Sequence, residues 1–200
     1  MAILSLGNSE RLFWLGRYSE RVFTGIKFLS LQPLWSWNDS AKSAYFDESN
    51  SDSVHFSLMR AYDNAIVLRD EIGSDTFSYI QLAVYEMKNA SRSRTPLVGL
   101  QKVSDNIAAF WGMADDSIHD EHVRGIIKLG KRVERVDLYA RQNAESEDIR
   151  REILRLTYRI TKTGLHYDAG RLSALNGLAV EESINRAEVV REVESLIEFS

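Results

Sequence analysis

Leu15-Gly16-Arg17-Tyr18-Ser19-Glu20-Arg21-Val22 aligns without a gap to Leu129-Gly130-Lys131-Arg132-Val133-Glu134-Arg135-Val136. Leu, Gly, Glu, Arg and Val are identical in the two stretches, and Arg17 stands opposite the basic Lys131. Each copy sits in the middle of a long segment whose apolar residues recur at helical spacing, which points to a short internal duplication carried on two long helices. Glycine inside a helix costs about 1 kcal/mol relative to alanine. Gly16 and Gly130 each lie four residues before the glutamate, on the same side of the helix, so their retention points to close approach of a second helix or of a ligand.

The charges in the repeat point the same way. Glu20 has Arg17 three residues back and Glu134 has Lys131 three back, a spacing at which side chains touch along one face. Arg21 and Arg135 point about 100° away from their glutamates and are free to reach another helix. An isolated charge inside so apolar a segment costs several kcal/mol, so the ions are expected to neutralise one another. The glutamate of one copy is therefore expected to meet an arginine of the other, in a buried network of Arg17, Glu20, Arg21, Lys131, Glu134 and Arg135. Such a network either fixes helix register or grips an anion such as a phosphate or carboxylate.

Working outward from the repeat, the first helix reads from about Ser9 to Ser30, with Asn8 or Ser9 as its cap. It is apolar nearly all round, as buried helices are. Residues 32–53 read as a surface loop with room for a short helix; its Trp35, Trp37, Tyr45 and Phe46 would cover apolar area. Further helices are expected at about 54–72, 76–90, 97–113, 118–143, 148–163 and 180–199. Residues 164–177 read as a loop that is helical at most in part. No segment shows strand alternation. The expected fold is all-α, a multi-helix up-down bundle with two long central helices each carrying a Glu-Arg motif, in one domain spanning residues 1–200.

Composition narrows the function classes. Apolar residues make up 44% of the chain and charged residues 27%, values of an ordinary globular protein rather than a disordered one. The net charge of −4 argues against nucleic acid as a partner. There is no cysteine, which removes disulfides and thiolate chemistry and fits a reducing compartment. The first residues are too short and uncharged for a signal peptide, and no apolar run is long enough to span a membrane, so a cytoplasmic location is expected. Neither a Gly-rich phosphate loop nor a Gly-x-Ser-x-Gly elbow is present, and no cofactor is implied.

Two other patterns carry chemistry. His119-Asp120-Glu121-His122 resembles a metal cluster, since His119 and His122 share a helix face; an acidic helix start is the favoured reading, and His119 and His122 stay weak metal candidates. Arg151, Arg155 and Arg159 fall at i, i+4 and i+8, a basic stripe that reads as a solvated face or as a dock for an acidic surface.

Ser9-Glu10-Arg11-Leu12-Phe13-Trp14-Leu15-Gly16-Arg17-Tyr18, followed by Glu20-Arg21, resembles the opening of the alpha-E family, and residues 129–135 look like its second Glu-Arg segment. Asp63-Asn64-Ala65-Ile66-Val67-Leu68-Arg69-Asp70 is similar to a family segment written roughly Glu-Asn-Ala-Arg-x-x-Arg-Glu. That match marks Asn64 and Arg69 as motif positions, while Ile66 stands where the family usually has arginine. The resemblance covers about residues 9–141; the helices of 147–200 depart from the family, whose usual members are longer. Val22-Phe23 lacks the acidic residue that often follows the first Glu-Arg, whereas Asp137 follows the second.

The resemblance implies an all-helical accessory protein, found beside a circularly permuted ATP-grasp ligase and a transglutaminase-like protein in a peptide- or amide-bond-forming system. It implies one of those proteins as partner. The competing expectation is enzymatic: Arg21 and Arg135 would bind a carboxylate or acyl-phosphate, with Glu20 or Glu134 as acid or base. A metal-binding bundle using His119 and His122 is the third.

Overall fold

The computed structural model describes residues 4–30 and 39–199. Those residues form ten α-helices: α1 (Leu6–Ser30), α2 (Asp39–Phe46), α3 (Val54–Val67), α4 (Arg69–Ile72), α5 (Ser74–Arg92), α6 (Pro96–Ser117), α7 (Glu121–Arg141), α8 (Ser146–Ile160), α9 (Ala169–Val180) and α10 (Arg186–Glu194). The fold is all-α. No helix among the described residues is long and apolar enough to cross a membrane. The chain divides into two compact units, Met1–Arg17 with Gly125–Ser200, and Tyr18–Arg124.

In the first unit, α1 begins earlier than its apolar pattern suggests. Ser5, rather than Asn8 or Ser9, caps it: the Asn8 amide donates to Ser5 Oγ at 3.2 Å, which satisfies one of the orphan donors of the first turn. Helix α7 ends where Asn143 takes a left-handed conformation (φ 52°) and the Ala144 amide closes back on the Tyr139 carbonyl at 3.0 Å. Helix α8 buries Ile149, Ile153, Leu156 and Ile160.

Helix α9 is the helical part of the 164–177 segment, and it runs on to Val180. Gly170, Asn176 and Gly177 lower its helix propensity. Asp168 nonetheless caps it, accepting from the Arg171 amide at 3.0 Å, and Leu172, Leu175 and Leu178 are buried at helical spacing. Burial of those leucines outweighs the two glycines. The expected helix of 180–199 shrinks to α10, capped by Asn185. Beyond it the tail pairs in extended fashion with residues 166–168, the Asp168 amide donating to the Leu196 carbonyl at 3.0 Å.

In the second unit, Ser53 caps α3, and its hydroxyl donates to the Asp47 carbonyl at 2.6 Å, tying the end of α2 to the start of α3. The expected helix of 54–72 is interrupted at Leu68 and stops at Gly73, whose φ of 80° suits glycine. Pro96 opens α6 in the first-turn position that lacks a donor requirement. Helices α5 and α6 pack closely where Gly99 faces Ala90; a Cβ on Gly99 would lie 2.5 Å from that of Ala90. Tyr45 and Phe46 are half-buried; Trp35 and Trp37 lie outside the described residues.

Candidate functional site

The two glycines of the repeat meet in the first unit. A Cβ built on Gly16 would lie 2.1 Å from the Ile127 carbonyl oxygen, and one built on Gly130 would lie 2.0 Å from the Phe13 carbonyl oxygen. The contact is reciprocal. Ile127 and Phe13 each stand three residues before the glycine of their own copy, and the next neighbours, the Lys131 and Arg17 amides, each stand one residue after it. Helices α1 and α7 thus cross backbone to backbone about a local twofold, and only a residue without a side chain fits on either strand of the crossing. The partner that the glycines admit is a second helix.

Arg17 leaves α1 one residue beyond that contact and reaches across it. Its Nε donates to Glu134 Oε2 at 2.7 Å, and Nη2 lies 4.0 Å from Asp137 Oδ2. The guanidinium carbon rests 5.0 Å from the centre of the Trp14 ring. Arg17 is 7% exposed and Glu134 is 0% exposed, so the pair is shielded from water. Asp137 in turn accepts from Arg141 Nε at 2.9 Å, and Arg141 pairs with Glu194 at the surface. Burial, and then the negative charge of Glu134, push the Asp137 carboxyl above its ordinary range, although Arg141 and Arg17 pull the other way.

The remaining repeat residues are placed as follows. Glu20 is buried in the second unit, where it accepts from Thr24 Oγ1 at 2.8 Å. Arg21 lies in that unit too, its guanidinium carbon 5.8 Å from the Tyr18 ring. Lys131 is half-buried. Arg17 reaches Glu134 because it adjoins the point of closest backbone approach. Arg135 turns toward α8 and comes within 3.9 Å of Glu152.

Asn64 supplies its carbonyl to the Leu68 amide at the end of α3. Arg69 bonds Ser74 Oγ at 3.3 Å and stacks 5.3 Å from the Phe77 ring centre, holding the turn around Gly73. In the His119-to-His122 segment, Asp120 is used as the cap of α7, its Oδ1 accepting from the His122 amide at 2.8 Å and the Val123 amide at 3.3 Å. Among the described residues no group of three or more His, Asp and Glu side chains is placed to hold a metal ion.

A second charged centre lies on α8. Glu152 is 2% exposed yet accepts from Arg132 Nη1 at 2.6 Å and from Arg155 Nη1 at 2.7 Å. Burial alone would raise its carboxyl; Arg132 foremost, with Arg135 and Arg155, brings it below the ordinary range. Sequence reading passed over Glu152, although a signal was available: it interrupts the apolar stripe Ile149, Ile153, Leu156, Ile160 at a core-facing position, three residues after Ile149. Arg132, Arg151, Leu154, Arg155, Tyr158 and Arg159 line an open groove of about 440 Å³ above it. Of these, Arg132 alone belongs to the repeat.

The Alpha-E family model, described as a predicted alpha-helical domain with a conserved ER motif, matches residues 33–146. The match takes in the second copy, 129–136, and begins after the first, 15–22. No curated protein and no solved structure matches the chain.

Proposed function

The chain belongs to the Alpha-E family, and from that premise we propose that it is a non-catalytic, partner-binding subunit of a peptide- or amide-bond-forming system, its partner an ATP-grasp ligase or the transglutaminase-like protein that accompanies it, working in the cytoplasm. The observation that carries this reading is the sealing of the Glu-Arg motif. Glu134 is 0% exposed and is held by Arg17 at a crossing of two backbones. A general acid or base must reach its substrate within hydrogen-bond distance. A carboxylate committed to a buried guanidinium is suited instead to fixing helix register. The motif then fixes helix register, and recognition falls to the surface.

Co-purification of the chain with the ATP-grasp ligase, with and without ATP, tests the proposal. A stable complex is expected, with amide formation that requires the ligase and is inert with this chain alone. Turnover of ATP or of an activated carboxylate by the isolated chain, or failure to associate with either partner, overturns it.

A further inference from the structure

Helix α8 has two working faces. Ile149, Glu152, Ile153, Leu156 and Ile160 turn to the core. Arg151, Leu154, Arg155, Tyr158 and Arg159 fall at i, i+3, i+4, i+7 and i+8, a single outward stripe. On that stripe Leu154 is 61% exposed and Tyr158 is 62% exposed. An apolar pair one turn apart, rimmed by cations, is the pattern by which a groove receives an amphipathic helix.

The charges favour an acidic occupant. Four guanidiniums line the groove, and the carboxylates that pair with them are Glu152, shared by Arg132 and Arg155, and Asp148, bound by Arg151. Arg159 makes no ion pair among the described residues, and positive charge is left over. Glu152 sits at the root of this fan and holds Arg132 and Arg155 in place, which lowers the ordering cost of binding. Arg151, Arg155 and Arg159 are spaced one turn apart, about 5–6 Å, which matches carboxylates at i and i+4 on a facing helix. A second copy would bring the same cations against these and be repelled. A phosphate backbone offers nothing to cover Leu154, and a chain of net charge −4 repels a polyanion at long range.

We propose that the outer face of α8, from Arg151 to Arg159, docks an acidic amphipathic helix of a partner protein. The proposal rests on the partner-binding reading above and names the surface that would do the work. It is tested with a fluorescein-labelled peptide carrying leucines and glutamates at helical spacing, titrated with the full chain and followed by fluorescence anisotropy. A scrambled peptide of the same composition and an oligothymidylate of equal charge are the controls. The patterned peptide is expected to bind, and Arg159→Glu or Leu154→Ser to weaken it roughly tenfold or more, with the helical circular dichroism of both variants unchanged. Equal binding of the scrambled peptide or the oligonucleotide overturns the proposal, as does undiminished binding by Arg159→Glu. The same variant separates this surface from the wider role. If the ligase co-purifies equally with Arg159→Glu and with the parent chain, the α8 dock falls and the partner role stands. If the parent chain binds the peptide with the expected variant effects but neither protein partner, the dock stands and the ATP-grasp assignment falls.

Discussion

Glu134 and Glu152 are both carboxylates withdrawn from water, and each accepts from a guanidinium at 2.7 Å or less. They differ in where the cations end. Arg17 is 7% exposed and finishes inside the α1–α7 crossing, whereas Arg132 and Arg155 start at Glu152 and end along an open groove. The same chemical pair therefore acts as a rivet in one place and as the root of a recognition surface in the other. Burial of the carboxylate alone does not decide between them; the exposure of its partner does.

The comparison predicts unequal costs. Arg17→Met removes the guanidinium that donates to Glu134 in a dry crossing, and is expected to cost about 3–5 kcal/mol in urea denaturation. Combining it with Glu134→Gln should recover part of that loss, a coupling of about 2 kcal/mol by double-mutant cycle. Strict additivity would show that the pair is incidental to the crossing. Gly130→Ala comes next. It places a Cβ 2.0 Å from the Phe13 carbonyl, a backbone atom that cannot swing aside. A net loss of about 3 kcal/mol is expected, at the upper end of the overpacking range and after the roughly 1 kcal/mol that alanine returns in propensity. Gly7→Ala on α1, where a Cβ meets nothing, is the control that should not destabilise.

The duplicated glycines pointed to close approach of a second helix or of a ligand, and in the structure that neighbour is a helix. Periodicity located the long helices because apolar residues recur at helical spacing along each of them. It could not single out Arg17 as a partner of Glu134, since that depends on which residue adjoins the closest backbone contact. It left α9 undefined within a partly helical loop, because glycine and asparagine mask a leucine stripe and the deciding signal is the Asp168 cap. It passed over Glu152, although a place three residues after Ile149 sets that glutamate on the core face of α8.

Acid sharpens the comparison at the smallest scale. The Glu152 carboxyl is held below its ordinary range by Arg132, Arg135 and Arg155 against the effect of burial. A depressed folded value means that its contribution is complete above the unfolded glutamate value of about 4.3 and disappears as pH falls through the folded one. Glu152→Gln should therefore cost about 1–2 kcal/mol at neutral pH, the scale of charge-assisted hydrogen bonds partly retained by the amide. The gap from the parent chain should close as denaturation curves are taken below about pH 4. Asp137 behaves in the opposite sense, since burial and Glu134 raise it. Relative to Asp137→Asn, the parent chain should lose stability as pH rises through the carboxylate range. Opposite slopes for the two variants would tie each carboxylate to its surroundings, burial beside a like charge in the crossing and an excess of cations beneath the groove. Parallel slopes would mean that the two centres share one electrostatic environment and that the contrast between rivet and root is wrong.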